Sequence, residues 1–308
     1  MKMKKDFIRW GLIIPFLMSF LLFSCKKDTP PPTASFTYSI NDGTVTFTAE
    51  VTNDTKYEWD FGDGSYINTL HAPVHTYTQI DKAVDYTVSL TIKGPGGITS
   101  VSQKITILGK TKLQYLTGGT AASPKSRTWR INQKAAFLDV AAADANFTSQ
   151  IPSSYRIGGI LASVGLANAY KDVFVFKSDG TIKMTSNGGG VLTSLAYSMG
   201  NAITPISMYA DLGLAYSPIT PSTNATFTIN EHKNYTITTP LGNVTYSDVM
   251  TISFTNGGFL GLRDFTTECI VKNITDTSMD VVLFFAHPKY GAKPMLALVV
   301  TMEAISTN

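Results

Sequence analysis

Side chains able to carry out bond chemistry are sparse in this chain of 308 residues. Of its four histidines, His232 and His287 stand apart, without H-E-x-x-H or any other ligand spacing. Its two cysteines, Cys25 and Cys269, cannot build a four-cysteine zinc site or a disulfide framework. Glycoside hydrolysis needs two carboxylates roughly 5–9.5 Å apart across the reacting bond. The acids after residue 126 are scattered, Asp172, Asp179, Asp211 and Asp264 among them, and no E-x-D-x-x-E run occurs. A Ser-His-Asp esterase would carry a G-x-S-x-G elbow, and none is present. Asp60 with His75 has the composition of an acid–base pair, and Asp60 with Asp63 that of a cation site. All three fall at loop ends, where such groups ordinarily satisfy the backbone. These residues favour binding over catalysis, with no metal and no cofactor.

Aromatic rings are the chemistry that remains. A flat ring face packs on the C–H surface of a sugar, while Asp, Asn, Lys or Arg beside it takes the hydroxyls. The candidates are Tyr155, Tyr170, Tyr197, Tyr209 and Tyr216, with Asp172 and Asn201 as polar partners. Several of them sit in the apolar, Ala/Gly/Met/Tyr-rich stretch 191–223, which lacks clean periodicity. Long irregular segments in a compact domain are usually functional or disordered, and this one is too apolar for disorder.

The elements that must position these rings begin after an export signal. Lys2, Lys4, Lys5 and Arg9 precede an apolar run from Trp10 to Phe23, which Ser24 and Cys25 end. The run is too short to span a bilayer, which takes about 20 residues. Leu22-Phe23-Ser24-Cys25 resembles the lipobox of bacterial lipoproteins, which implies a leader 1–24 and lipid on Cys25. The following Lys26-Lys27-Asp28 is similar to the charged tag of surface-exposed Bacteroidetes lipoproteins. Residues 25–33 then read as the lipidated cysteine and a Pro-rich tether. The formal charge of +3 belongs to the leader. Its loss removes four of 25 basic and one of 22 acidic side chains, leaving 21 of each. A neutral mature chain is no nucleic-acid binder. A hydrophobic fraction of 44% suffices for folded cores.

Residues 34–108 read as short alternating strands separated by Asn-Asp-Gly, Gly-Asp-Gly and Gly-Pro-Gly-Gly turns, a β-sandwich pattern. Alternation along 85–92 places Tyr86, Val88, Leu90 and Ile92 on one buried face. The run Trp59-Asp60-Phe61-Gly62-Asp63-Gly64, then His75-Thr76-Tyr77, then Tyr86-Thr87-Val88, resembles a PKD domain. That resemblance implies an immunoglobulin-like spacer or interaction module. Trp59, Asp60, Gly62, Asp63, Gly64, His75 and Tyr77 would then serve the fold rather than chemistry.

A Gly/Thr/Ala/Ser-rich stretch, 109–125, reads as linker. Residues 126–308 carry strand signals and hairpin turns at Asp179-Gly180 and Thr275-Asp276-Thr277-Ser278, with 135–145 and 157–170 compatible with short helices. The fold class expected is all-β: the sandwich, then a larger antiparallel sandwich or barrel, lipocalin-like or jelly-roll-like, with short helical or irregular insertions. Ser126-Arg127-Thr128-Trp129, Tyr170-Lys171-Asp172-Val173, Gly257-Gly258-Phe259 and the run Cys269–Leu283 resemble the domain that follows PKD modules in Bacteroidetes surface lipoproteins of polysaccharide uptake. The resemblance implies a polysaccharide or oligosaccharide ligand, with an outer-membrane importer and neighbouring lipoproteins as partners. It also implies an outer-membrane, lipid-anchored location facing the cell surface, with a periplasmic face as the alternative. A structural or protein-interaction subunit without a sugar site is the second reading, and a hydrolase the third.

Overall fold

The computed structural model describes residues 29–54, 56–120, 124–134, 140–142 and 159–305. Cys25 and Tyr155 lie outside the described residues, as do most of 135–158. The chain divides into two compact units, with the boundary near residue 108.

The first unit is a sandwich of two three-stranded antiparallel sheets. One holds β1 (Thr33–Asn41), β2 (Thr44–Thr52) and β4 (Val74–Thr76); the other holds β3 (Lys56–Asp60), β5 (Val84–Gly94) and β6 (Gly97–Ile107). Period-two alternation along β5 puts Val88, Leu90 and Ile92 in the core, with Tyr86 at its edge against Tyr77. Between the sheets, Trp59 packs on Phe36 and Phe47 with centroids 5.1 and 5.3 Å away. Its indole N–H donates to the Leu70 carbonyl (2.9 Å), so the buried ring leaves no unpaired donor. The domain starts earlier than the sequence suggests. Pro32 is buried and its carbonyl accepts from the Thr99 hydroxyl at 2.6 Å, so the last proline belongs to the sandwich, not the tether.

The second unit is a curled antiparallel half-barrel. Its strands run in the order β10 (Ile182–Thr185), β9 (Val173–Lys177), β7 (Ser126–Ile131), β18 (Pro294–Ile305), β17 (Ser278–Ala286), β16 (Glu268–Ile274), β15 (Gly242–Thr255), β14 (Thr226–Thr239). The short β8 (Val140–Ala142) also pairs with β18. The two edges meet at one point, where Ile182 N–H reaches the Ala225 carbonyl (3.0 Å) and Phe227 N–H the Gly180 carbonyl (2.8 Å). Trp129, Phe174, Phe176, Phe227, Phe254 and Phe285 fill the concave side, as side chains do in small barrels. This interior is a packed core rather than a ligand chamber.

β17 and β18 read as nearly continuous apolar runs because both of their faces are covered. Val281, Leu283 and Phe285 face the barrel core, while Val282 and Phe284 face a second cluster with Tyr235, Ile237 and Ile270. That second cluster forms because β14 and β15 make one long hairpin whose far half folds over the sheet's back. The sequence suggests two short strands there, Ala225–Ile229 and Tyr235–Thr238, broken at 230–234. Those residues are instead a bulge, with the register shifting between Asn230 and Tyr235 and Asp248 opposite in a left-handed conformation (φ 53°).

The stretch read as linker is partly built into this unit. α1 (Lys112–Thr117) starts with a reciprocal capping box: the Thr111 hydroxyl accepts from Gln114 N–H (3.2 Å), and the Gln114 side chain accepts from Thr111 N–H (2.8 Å). Leu116 is fully buried in the barrel core, and its carbonyl accepts from the Trp129 indole at 2.8 Å. Asp276 accepts from Lys110 (2.6 Å) and Arg127 (2.9 Å) beside it. Short-range composition could not reveal this helix, since the contacts that hold it come from Trp129, Arg127 and Asp276. Of the two expected helical stretches, the described residues contain only a turn at Ile160–Ser163 (α2) and a 3-10 turn at Ala167–Lys171.

Candidate functional site

The apolar stretch 191–223 is built of regular elements, which its irregular pattern does not show. β11 (Val191–Ser194), β13 (Leu214–Ser217) and β12 (Ser207–Tyr209) form a small antiparallel sheet in that order. Leu192, Leu214 and Tyr216 turn into the barrel core. Thr193, opposite Ala215, turns the other way, and α3 (Leu195–Gly200) covers that face. A fully buried trio of hydroxyls glues them together: Thr193 to Ser198 and Ser217 (both 2.9 Å), and Ser198 to Ser217 (2.7 Å). The strands were missed because they are short, and because both faces of the sheet are covered, which removes alternation.

α3 is pinned at its start. The Ser194 hydroxyl accepts from Tyr197 N–H (2.9 Å) as N-cap and donates to Asp264 (2.5 Å). Asp264, 2% exposed, also accepts from Ala286 N–H at 3.0 Å. Burial pushes its carboxyl up to about 6, against the hydrogen bonds from Ser194 and from the backbone of Phe265, Ala286 and Thr266.

This pinning presents a small aromatic platform. The rings of Tyr197 and Phe265 lie 5.2 Å apart and tilted, and Phe265 is 40% exposed. The Arg263 guanidinium lies 5.5 Å from the Tyr197 ring centre and 5.7 Å from that of Phe259. Its Nε donates to the Tyr197 hydroxyl (3.2 Å) and its Nη1 to the carbonyls of Gly257 (2.6 Å) and Gly258 (3.2 Å). Asn201, exposed at the end of α3, donates its amide to the Tyr197 carbonyl at 2.9 Å. Met199, also on α3, is 63% exposed.

The expected ligand residues therefore divide. Tyr197 and Asn201 come together on this platform, joined by Arg263 and Phe265, which sequence reasoning missed. Gly257-Gly258-Phe259 upstream of them was the available signal. Tyr209 is half-buried against the core. Tyr170 and Tyr216 are buried and present no face to solvent. Asp172, 4% exposed, is a structural acceptor: Tyr216 donates to it at 3.0 Å and Asn187 N–H at 3.1 Å. Burial pushes its carboxyl up to about 7, against those two hydrogen bonds. These three are corrections: register puts Tyr216 opposite Leu192 on the inward face of its sheet, while Tyr170 and Asp172 lie in and just after the 3-10 turn Ala167–Lys171, Tyr170 packed in the same core and Asp172 bonded to Tyr216. Cys269 is a buried thiol, pushed by desolvation up to about 12.

In the first unit the motif residues serve the fold. Asp60 accepts from Gly62 N–H (2.9 Å), closing the loop after β3. His75 bonds Asp63 rather than backbone (2.7 Å) and stacks on Phe61 with centroids 4.1 Å apart. Burial opposes ionisation of Asp63, but hydrogen bonds from Ser65 and His75 outweigh it and hold the carboxyl low. Buried Tyr77 donates to the Phe61 carbonyl at 2.9 Å. Gly64 takes the left-handed conformation of the turn (φ 81°). Among the described residues no His, Cys, Asp and Glu group is placed to hold a metal.

Comparison with known families agrees with this geometry. Residues 27–108 match the PKD domain family. They are a PKD domain. Two solved structures resemble it. One is the PKD1 domain of Vibrio anguillarum Epp, at 25% identity over 27% of this chain and 99% of that one, with a TM-score of 0.24. The other is the PKD1 domain from the Vibrio cholerae metalloprotease PrtV, at 31% identity over 27% of this chain and 100% of that one, with a TM-score of 0.22. No curated protein matches the chain. The PKD match ends at residue 108, before α1.

Proposed function

We propose that this chain is a non-catalytic lipoprotein of the outer membrane, facing the cell surface, that binds glycan beside a polysaccharide importer. Lipid on Cys25 anchors it, the PKD domain spaces it from the membrane, and the second unit captures ligand. The observation that carries the capture role is the Tyr197–Phe265 ring pair, Phe265 exposed and Tyr197 half-buried, with Arg263 and Asn201 beside it. Rings at that spacing offer apolar faces to a sugar, and the polar pair offers hydrogen bonds to its hydroxyls. Affinity electrophoresis against a panel of polysaccharides tests it. Phe265→Ala should weaken retardation about 2- to 12-fold, since an aromatic contact is worth roughly 0.5–1.5 kcal/mol. Absence of retardation with every polymer would refute glycan binding.

A second reading, a protein-interaction subunit, draws on Met199, Ile206 and Met208, each more than half exposed. Register puts Met208 opposite Ala215, on the edge strand of the sheet that α3 packs against. Solvent-facing methionines adapt to protein partners. Retention of a membrane partner by Phe265→Ala together with loss of glycan retardation would separate the two roles. Anchoring is tested independently: Cys25→Ser should move the protein from the detergent phase to the aqueous phase in detergent partitioning.

A further inference from the structure

The platform carries a cation, Arg263, and among the described residues no acid pairs with it. Arg263 uses Nε and Nη1 on the Tyr197 hydroxyl and two carbonyls, while Nη2 has no hydrogen-bond partner among the described residues. No carboxylate pairs with Arg263 among those residues, although Asp264 is its neighbour in sequence. That carboxyl is turned inward onto Ser194 and Ala286 N–H. Against α3 lies the turn Pro288–Tyr290, whose Lys289 rests over the Tyr290 ring (5.4 Å) and likewise has no acidic partner among the described residues. Along 191–223 the sole charged residue is Asp211.

An unpaired arginine held rigid between two rings, with one nitrogen left over, is preorganised for an anion at low entropic cost. We infer that the Tyr197–Phe265 platform selects sugars bearing an anionic substituent, a uronate carboxylate or a sulfate ester, which Arg263 Nη2 binds while the rings pack on the sugar face. The inference rests on the glycan reading above and names its ligand class. A structural role alone would stop at the clamp on Gly257 and Gly258, and the free Nη2 lies beyond it.

The test compares the full chain in neutral detergent against matched polymers. These are polygalacturonate and its carboxyl-reduced neutral form, and dextran sulfate and dextran. Retardation by polygalacturonate should fall at least about tenfold on carboxyl reduction, as expected for losing a hydrogen bond to a charged group. It should also weaken as salt is raised. Arg263→Gln should reproduce the tenfold loss on the acidic polymer, and Arg263→Lys should restore part of it. Retardation by dextran sulfate alone would assign the anion as a sulfate ester. Equal retardation by acidic and neutral polymers, unchanged in Arg263→Gln, overturns the anionic selectivity and leaves glycan binding standing. Failure of all four polymers overturns both. The wild-type comparison decides even where Arg263→Gln loosens the 257–263 turn.

Discussion

Asp172 shows how burial turns a candidate ligand into a structural acceptor. Its carboxyl is raised from 3.8 to about 7, so between those values the folded form holds a proton that the unfolded chain has released. Stability contributed by this group is complete below about pH 4 and is lost as pH rises towards 7. The full loss is on the order of 4 kcal/mol at 1.36 kcal/mol per pH unit. Asp264 acts in the same direction up to about pH 6. Asp276 and Glu268 are held low despite burial, because Lys110 and Arg127 pair with the first and Lys233 with the second. Their contributions therefore vanish at the acid end. The melting temperature of the second unit should decline from pH 5 to pH 7.5. Asp172→Asn keeps the acceptor oxygen for Tyr216 without the charge. It should melt as the wild type does at pH 5 and higher than it at pH 8, by circular dichroism.

Among the elements, α1 illustrates a helix that exists by capping and tertiary contact rather than propensity, since six residues are too few to be stable alone. Thr111→Ala removes one half of the capping box and should destabilise the second unit by about 1 kcal/mol in urea unfolding. Thr111→Ser should cost little. α3 depends in the same way on its N-cap and on the buried hydroxyl trio. Ser198→Val leaves Thr193 and Ser217 with one hydroxyl partner fewer in a dry site. It should cost about 1–3 kcal/mol and, by loosening α3, weaken ligand retardation as well. An effect on stability without any effect on retardation would detach the platform from its supporting sheet.

For the molecule as a whole, each unit has its own core, one around Trp59 and one around Trp129. Gly62 joins a left-handed backbone (φ 76°) to a close approach, since a Cβ there would stand 2.4 Å from the Thr87 carbonyl oxygen. Gly62→Ala should lower the PKD transition by about 2 kcal/mol or more while the second unit's transition stays in place. A common shift of both transitions in calorimetry would contradict separate cores.

What the sequence by itself determined is whatever rests on local chemistry. Alternation set the strands of the first unit, apolar β-branched runs most strands of the second, Asp42-Gly43 and Asp179-Gly180 one hairpin in each, and the Trp59–Gly64 run with His75 and Tyr77 marked the PKD domain. These signals survive without a partner because neighbouring residues carry them. The platform was only half visible, through Tyr197 and Asn201. The tertiary structure alone decided that Tyr170, Asp172 and Tyr216 turn inward, and that Arg263 and Phe265 arrive from a distant segment to complete the site. It alone showed that the supposed linker carries a capped helix and that 191–223 is a sheet under α3. Which face of a short, doubly covered strand meets solvent depends on what packs against it, and those contacts come from residues far away in the chain.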